Sequence, residues 1–409
     1  MAPLRLLYVA CTEANTVSIF VRADDGSLTL REELEVPGGP MWLCTDPQQR
    51  RLYCPLIEAN EVASFAIAPD DGALTPLGRA PYMYPCLGDS DASGRPWEGP
   101  PCPCHVTTDH TGRFLFSAFY TGAILTVHAI GDDGAAAGEP LQTIHTSHGC
   151  HSIQADPSNR FVYVPCVAAT ATSAGGDPNN FILGGNRIFT FRFDPATGEL
   201  TPAGEPIIPE PTGAVQEPRF GGENLADAPT NRFGHRPERG PRHLVFHPSL
   251  PLLFTSDEQS NSVSRYAIDL QGGGALTLAG SEETTAPDTT AATNVSEIRI
   301  DATGSAIFCP NRGDDTVATF SLDDDGALSQ AGRFATAHIP QAIELTPDGS
   351  FLYSAGGQPT GTSFPDEDGA HDGLTIFSVD GAQLEEVGTG TLGLGAVRLL
   401  ALDLVQSSL

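Results

Sequence analysis

Five short stretches place chemically active side chains where an apolar residue would pack better: PCH at 103–105, GCHS at 149–152, PRH at 241–243, SDEQ at 256–259 and CPNR at 309–312. They contribute His105, His151, Arg242, His243, Glu258 and Arg312. An imidazole or carboxylate beside a water molecule is a general base, and guanidinium groups hold an anion or a developing oxyanion. The chain has 21 basic residues and all of them are arginine. Schiff-base chemistry and lysine contacts to phosphate are therefore excluded, and any anionic substrate falls to the planar guanidinium fork. No G-x-S-x-G elbow, phosphate-cradling glycine loop or dinucleotide fingerprint occurs.

The elements that must position these side chains come from a unit that recurs seven times. The unit is a short apolar run ending near Asp or His-Pro, a tight polar turn, a second apolar run, a third with its own polar turn, and a closing segment headed by Gly-x-Leu. The second copy reads MWLCTDPQQRRLYC, then EVASFAIAPDDGALT; the sixth reads SEIRIDATGSAIFCP, then TVATFSLDDDGALS. Four short strands repeated every ~40–50 residues form the pattern of a β-propeller blade, which buries both faces only by stacking on neighbours. The copies lie at about 6–36, 39–80, 102–146, 149–210, 240–287, 294–337 and 339–393. The expected fold is all-β, one seven-bladed propeller domain over residues 1–409. The first copy lacks its innermost strand, and the closing GAVRLLALDL matches the innermost strands of the others. The C-terminal strand is therefore expected to close the first blade, which removes the open edges of the ring.

Four Gly-, Pro- and Asp-rich insertions interrupt the pattern, at about 82–101, 168–184, 211–239 and 357–372. The first and third join the last strand of one blade to the first of the next, and the other two join the second strand to the third. In an up-and-down blade these connections emerge on one face, so all four are expected to crowd one mouth of the central channel. That mouth is the expected substrate site, with the insertions as a partial lid.

At ASFAIAPDDGALT, PCHVTTDHTGRF, GCHSIQADPSNRFVYVP, GPRHLVFHPSLPLLFTSDEQSNSV and FCPNRGDDTVATFSLDDDG the chain resembles the bacterial seven-bladed propeller lactonases, most closely the propeller type of 6-phosphogluconolactonase. The resemblance spans nearly the whole chain outside the insertions. It implies hydrolysis of a sugar-acid lactone without a required metal, on a small anionic lactone as substrate. A relative in the same superfamily cyclises carboxymuconate. The alternatives are therefore a lactonase or lactonising cyclase on another carboxylated substrate, or a propeller that only binds a ligand or protein.

Innermost strands line the channel, and their starts carry Trp42, Cys104 and His105, Cys150 and His151, Arg242 and His243, Glu297, Gln341 and Arg398. Glu258 and Arg312 end second strands, and Arg187 starts a third. Side chains alternate faces along a regular strand, so only one of each adjacent pair is expected to reach the channel. The expected general base is His151 or His243, with Glu258 orienting the imidazole or acting as base itself. Arg242 and Arg312 are expected to bind the anionic substrate and the oxyanion, with Arg187, Arg398, His105, Gln341 and Trp42 as further substrate contacts. The competing reading makes each histidine a hydrogen-bonded structural residue, and Glu258 an ion-pair partner that only shapes the ring. Where the resembling family has Pro-Arg, this chain has Pro340-Gln341, and Arg398 stands in the neighbouring blade where an aromatic residue is usual. Arg398 is the candidate to restore the missing charge.

Cys104, His105, Cys150 and His151 form an alternative zinc set, against which the preferred reading is no metal and reduced cysteines packed between blades. The nine cysteines do not follow a disulfide-scaffold pattern. A net charge of −30 argues against nucleic acid. No apolar run reaches the length of a membrane span, and MAPLRLLYVAC fits a strand better than a secretory leader, so a cytoplasmic location is expected. Asn294-Val295-Ser296 fits a glycosylation acceptor only outside that compartment. Acidity without lysine fits a saline or GC-rich source, and oligomeric state is left open.

Overall fold

A computed structural model describes residues 3–82, 102–167, 169–171, 181–183, 185–209, 238–289, 293–357 and 373–405. The insertions at 82–101, 211–239 and 357–372 therefore lie almost wholly outside the described residues, as does most of 168–184 apart from a hairpin pairing Ala169–Ala171 with Phe181–Leu183. All regular elements among the described residues are strands, and no helix is long and apolar enough to cross a membrane. The strands form the expected seven antiparallel blades. Leu4–Cys11 pairs on one side with Thr16–Arg22 and on the other with Ala396–Leu404, so the C-terminal strand becomes the innermost strand of blade 1.

Burial follows the repeat. The alternating apolar residues of each blade meet those of the next in seven hydrophobic clusters, one at every junction of the ring. The cluster of Leu7, Val9 and Leu399 with Ala342, Tyr353 and Leu374 joins blade 7 to blade 1. The glycine before the closing strand has a specific task in four blades. Tyr8, Tyr53, Tyr163 and Tyr353, all on second strands, donate their hydroxyls to the carbonyls of Gly72, Gly134, Gly274 and Gly26 in the following blade. These four glycines have φ between 74° and 84°, a left-handed conformation that glycine adopts at little cost.

The innermost strands are irregular where they begin, at the end that receives the 82–101 and 211–239 connections. A residue with positive φ precedes the strand in six blades: Gly39, Cys102, Gly149, Gly240, Ile339 and Gly395. Proline follows it in four of these, at Pro40, Pro103, Pro241 and Pro340, where the first ladder donor is dispensable. The register then shifts between Pro103 and His105, Pro241 and His243, and Pro340 and Ala342, which leaves Cys104, Arg242 and Gln341 as extra residues. Asn15, Asn186, Asn261 and Asp315, themselves at positive φ in the turns after second strands, accept backbone N–H groups at or just before the next blade's inner strand. Each blade thus fixes where its neighbour enters the channel.

Candidate active site

The bulge at Arg242 overturns the expectation that only one residue of an adjacent pair reaches the channel. An inserted residue re-aims side chains that strict alternation would send apart. Arg242 Nη1 lies 3.3 Å from His243 Nε2, and Arg242 Nε lies 3.2 Å from Glu258 Oε2. The other oxygen of Glu258 accepts from Arg312 Nη2 at 2.6 Å, and Arg312 Nη1 donates to Gln341 Oε1 at 3.4 Å. His243 Nε2 is 3.1 Å from His151 Nδ1, and Tyr120 packs edge-on to the His151 ring at 5.1 Å. Trp42 closes the group, 4.3 Å from the His105 ring and 5.0 Å from that of His243. Sequence-predicted residues from blades 2 to 7 therefore converge.

Protons in this cluster follow from the donors. Arginine has no lone pair to offer, so the Arg242 contact favours the His243 tautomer whose Nε2 is the acceptor. In that tautomer the one lone pair of Nε2 is shared between Arg242 and His151 Nδ1, which carries the hydrogen between the rings and leaves His151 Nε2 unprotonated. His105 is set the opposite way: the backbone N–H of Ile153 reaches its Nδ1 at 3.4 Å, so its Nε2 carries the proton. Burial, reinforced by the Arg242 charge, holds His151 and His243 well below the usual histidine range. Burial, reinforced by Arg299 and Arg242, pushes His105 down to about 3. All three rings are neutral at physiological pH. Among the described residues, two guanidinium groups and one carboxylate supply the charge here.

A second cluster lies further along the innermost strands. Arg299 meets Glu297 at 2.7 Å and Glu344 at 2.9 Å, while Arg398 meets Glu344 at 3.0 Å and Glu297 at 3.6 Å. The Arg398 guanidinium also lies over Trp42, 4.2 Å from the ring centre. Arg398 does not stand in for the arginine that Gln341 replaces; its charge is met by Glu344 and Glu297, and Gln341 bonds Arg312 instead. Glu344 and Arg299 escaped the sequence reading. Their signal was present: Glu297 and Arg299 are two apart in SEIRI, and Glu344 interrupts QAIEL, charges on inward positions of strands otherwise apolar.

Two expectations about sulfur are corrected. Cys150 and Cys166 face each other across blade 4 and are joined in a disulfide, so they are not reduced thiols. This takes Cys150 out of the alternative zinc set. Cys104 leaves it as well, its sulfur directed at the backbone carbonyls of Cys150 and Ala118 at 3.4 and 3.6 Å. Cys104, His105, Cys150 and His151 do not converge on one point. Arg187 also stands apart from the histidine cluster, its Nε donating to the Gly185 carbonyl at 2.9 Å. His247, which bonds the Gly304 carbonyl, is structural.

The family described as "Lactonase, 7-bladed beta-propeller" matches residues 6–169 and 220–363. A protein of Pectobacterium carotovorum subsp. carotovorum named 6-phosphogluconolactonase is 29% identical over 355 residues, covering 86% of this chain and 88% of its own length. One of the same name from Serratia proteamaculans is 27% identical, with coverages of 86% and 88%. Among solved structures, a protein from Lactobacillus plantarum shares the fold at a TM-score of 0.72 and 21% identity, covering 98% of this chain and 100% of that one. A Pseudomonas aeruginosa periplasmic gluconolactonase does so at 0.71 and 18%, with coverages of 98% and 100%. The family match takes in the strands that carry His105, His151, Arg242, Glu258 and Arg312, and with it the chain belongs to the seven-bladed β-propeller lactonases.

Proposed function

We propose that the chain hydrolyses 6-phosphogluconolactone or a closely related sugar-acid lactone, with water activated by His151 and the developing oxyanion held by Arg242 and Arg312. The observation that carries this reading is the Arg242–His243–His151 relay. In that tautomer His151 Nε2 is an unprotonated nitrogen beside two guanidinium groups already in place. Water loses a proton to His151 Nε2 as its oxygen attacks the lactone carbonyl. The resulting alkoxide faces preorganised positive charge, the arrangement that stabilises acyl-transfer transition states most. Collapse breaks the ring C–O bond, and the proton on His151 goes to the leaving hydroxyl, so atoms and charge balance. Glu258 holds both arginines in register, which makes it a positioning residue. The names of the curated relatives support the substrate class. The reaction as proposed draws on side chains alone, so activity is expected to survive exhaustive dialysis against a chelator.

The test is loss of 6-phosphogluconolactone followed against its spontaneous hydrolysis. Purified protein is expected to accelerate it strongly, and His151→Ala to abolish the gain. Acceleration of a carboxylated, non-phosphorylated lactone with none of this one would transfer the mechanism to another substrate, in keeping with Gln341 in place of arginine.

A further inference from the structure

Arg187 is a guanidinium at the rim of this mouth with no carboxylate to neutralise it among the described residues. It is half-buried, and its one hydrogen bond, from Nε to the Gly185 carbonyl, leaves both terminal nitrogens of the fork unused. That contrasts with Arg242 and Arg312, which share Glu258. Position matters here as much as charge. Cys166 pairs with Arg187 on one side and bridges Cys150 on the other, so the three residues form one row across blade 4. The Arg187 backbone therefore stands two strand spacings, about 10 Å, from that of Cys150, the neighbour of His151. An arginine side chain and a hexose-sized substrate together span that gap.

The surroundings are polar and closely fitted. The Ser147 hydroxyl is buried with no hydrogen-bond partner among the described residues. It sits against Gly185, where an added Cβ would collide with Ser147 Oγ and come within 3.0 Å of Arg187 Nε. A donor-rich fork, an unused hydroxyl and a glycine with no room for a side chain make an anion subsite removed from the reacting carbonyl.

Building on the proposed lactonase reading, we infer that Arg187 with Ser147 forms the subsite for the phosphoryl group of a phosphorylated sugar-acid lactone. Arg187 sets the preference for phosphorylated over plain lactones, while Arg242 and Arg312 act on the carbonyl of both.

The experiment compares kcat/KM for 6-phosphogluconolactone and for unphosphorylated gluconolactone in wild type, Arg187→Gln and Arg187→Lys. In parallel, calorimetry measures binding of the product acids 6-phosphogluconate and gluconate. Arg187→Gln is expected to lose roughly 10- to 100-fold on the phosphorylated lactone, the worth of charged hydrogen bonds, with gluconolactone turnover within about 2-fold of wild type. Arg187→Lys, which keeps the charge but not the fork, is expected to recover part of the loss. Equal losses on both lactones, or an unchanged ratio, would overturn the inference. If wild type hydrolyses neither lactone, the proposed function fails. Calorimetry then decides the subsite alone: a preference for 6-phosphogluconate over gluconate that Arg187→Gln removes supports it, and no preference overturns it.

Discussion

Among the described residues the channel holds two buried charge clusters built from the same side chains, and they differ by one carboxylate. Near the mouth, Arg242 and Arg312 share Glu258. Further along, Arg299 and Arg398 face both Glu297 and Glu344. A buried charge stripped of its partner costs several kcal/mol, so the four-membered cluster closes on itself and ties blades 1, 6 and 7 together. Among the described residues, the three-membered cluster keeps one guanidinium charge in excess beside histidines that burial holds neutral. That excess is a standing attraction for an anion. Identical chemistry serves as framework in one place and as site in the other, and charge balance separates the two.

The largest expected effect lies at the mouth. His151→Ala should lower kcat/KM by about 10²- to 10⁴-fold, the range for a general base, with the thermal midpoint nearly unchanged. His243→Ala should lose less, because it positions a proton without touching substrate. The reverse ranking would exchange their roles.

The comparison itself is tested by one arginine from each cluster. Arg242→Ala should lose about 10²- to 10³-fold in kcat/KM and little stability, because Glu258 keeps Arg312. Arg299→Ala leaves the buried Glu297 and Glu344 to share Arg398 and should cost about 3–5 kcal/mol in denaturant unfolding. Matching losses of stability in both would erase the distinction drawn here.

A smaller effect is expected with pH. Because His151 is held below its ordinary value of 6.5, the acid limb of kcat/KM should fall below that pH. Burial, opposed by Arg299, raises Glu344 from 4.5 to about 7. A carboxyl with a raised folded-state pKa stabilises fully below the unfolded value and loses that contribution as pH climbs through the folded one. Wild type should therefore lose stability relative to Glu344→Gln as pH rises from 4.5 to about 7. A flat difference across that window would place the proton elsewhere.

The smallest change concerns the frame outside both clusters. Cys102 has φ 54° at the strand-entry position where four blades have glycine. Cys102→Gly should raise stability by about 1 kcal/mol by removing left-handed strain, read as a shift in the unfolding midpoint.

The ring was legible because a blade cannot stand alone: the period, the Gly-x-Leu segments and the missing first strand all report packing between repeats. The site residues were legible as violations of that same pattern. What escaped was set by contacts that the repeat does not encode. The extra residue at Arg242 leaves no mark on the alternation of GPRHLVF, yet it brings two neighbours to one point. Cys150 and Cys166 are 16 residues apart, and only strand pairing shows that they share a row. Arg398 looked like a replacement for a lost charge because it stands in the blade beside Gln341, but Glu344 lies nearer.

Closure of the ring by Ala396–Leu404 also sets an order of events. This strand follows every other in the chain, and it brings Arg398 to carboxylates already packed around Arg299. During synthesis blade 1 has an open edge, and Glu297 and Glu344 have only Arg299 between them among the described residues, until Ala396–Leu404 emerges. Closing the ring and bringing Arg398 to Glu344 and Glu297 are then a single step, so a chain that stops before Ala396 would hold all three channel histidines in a ring still open at blade 1.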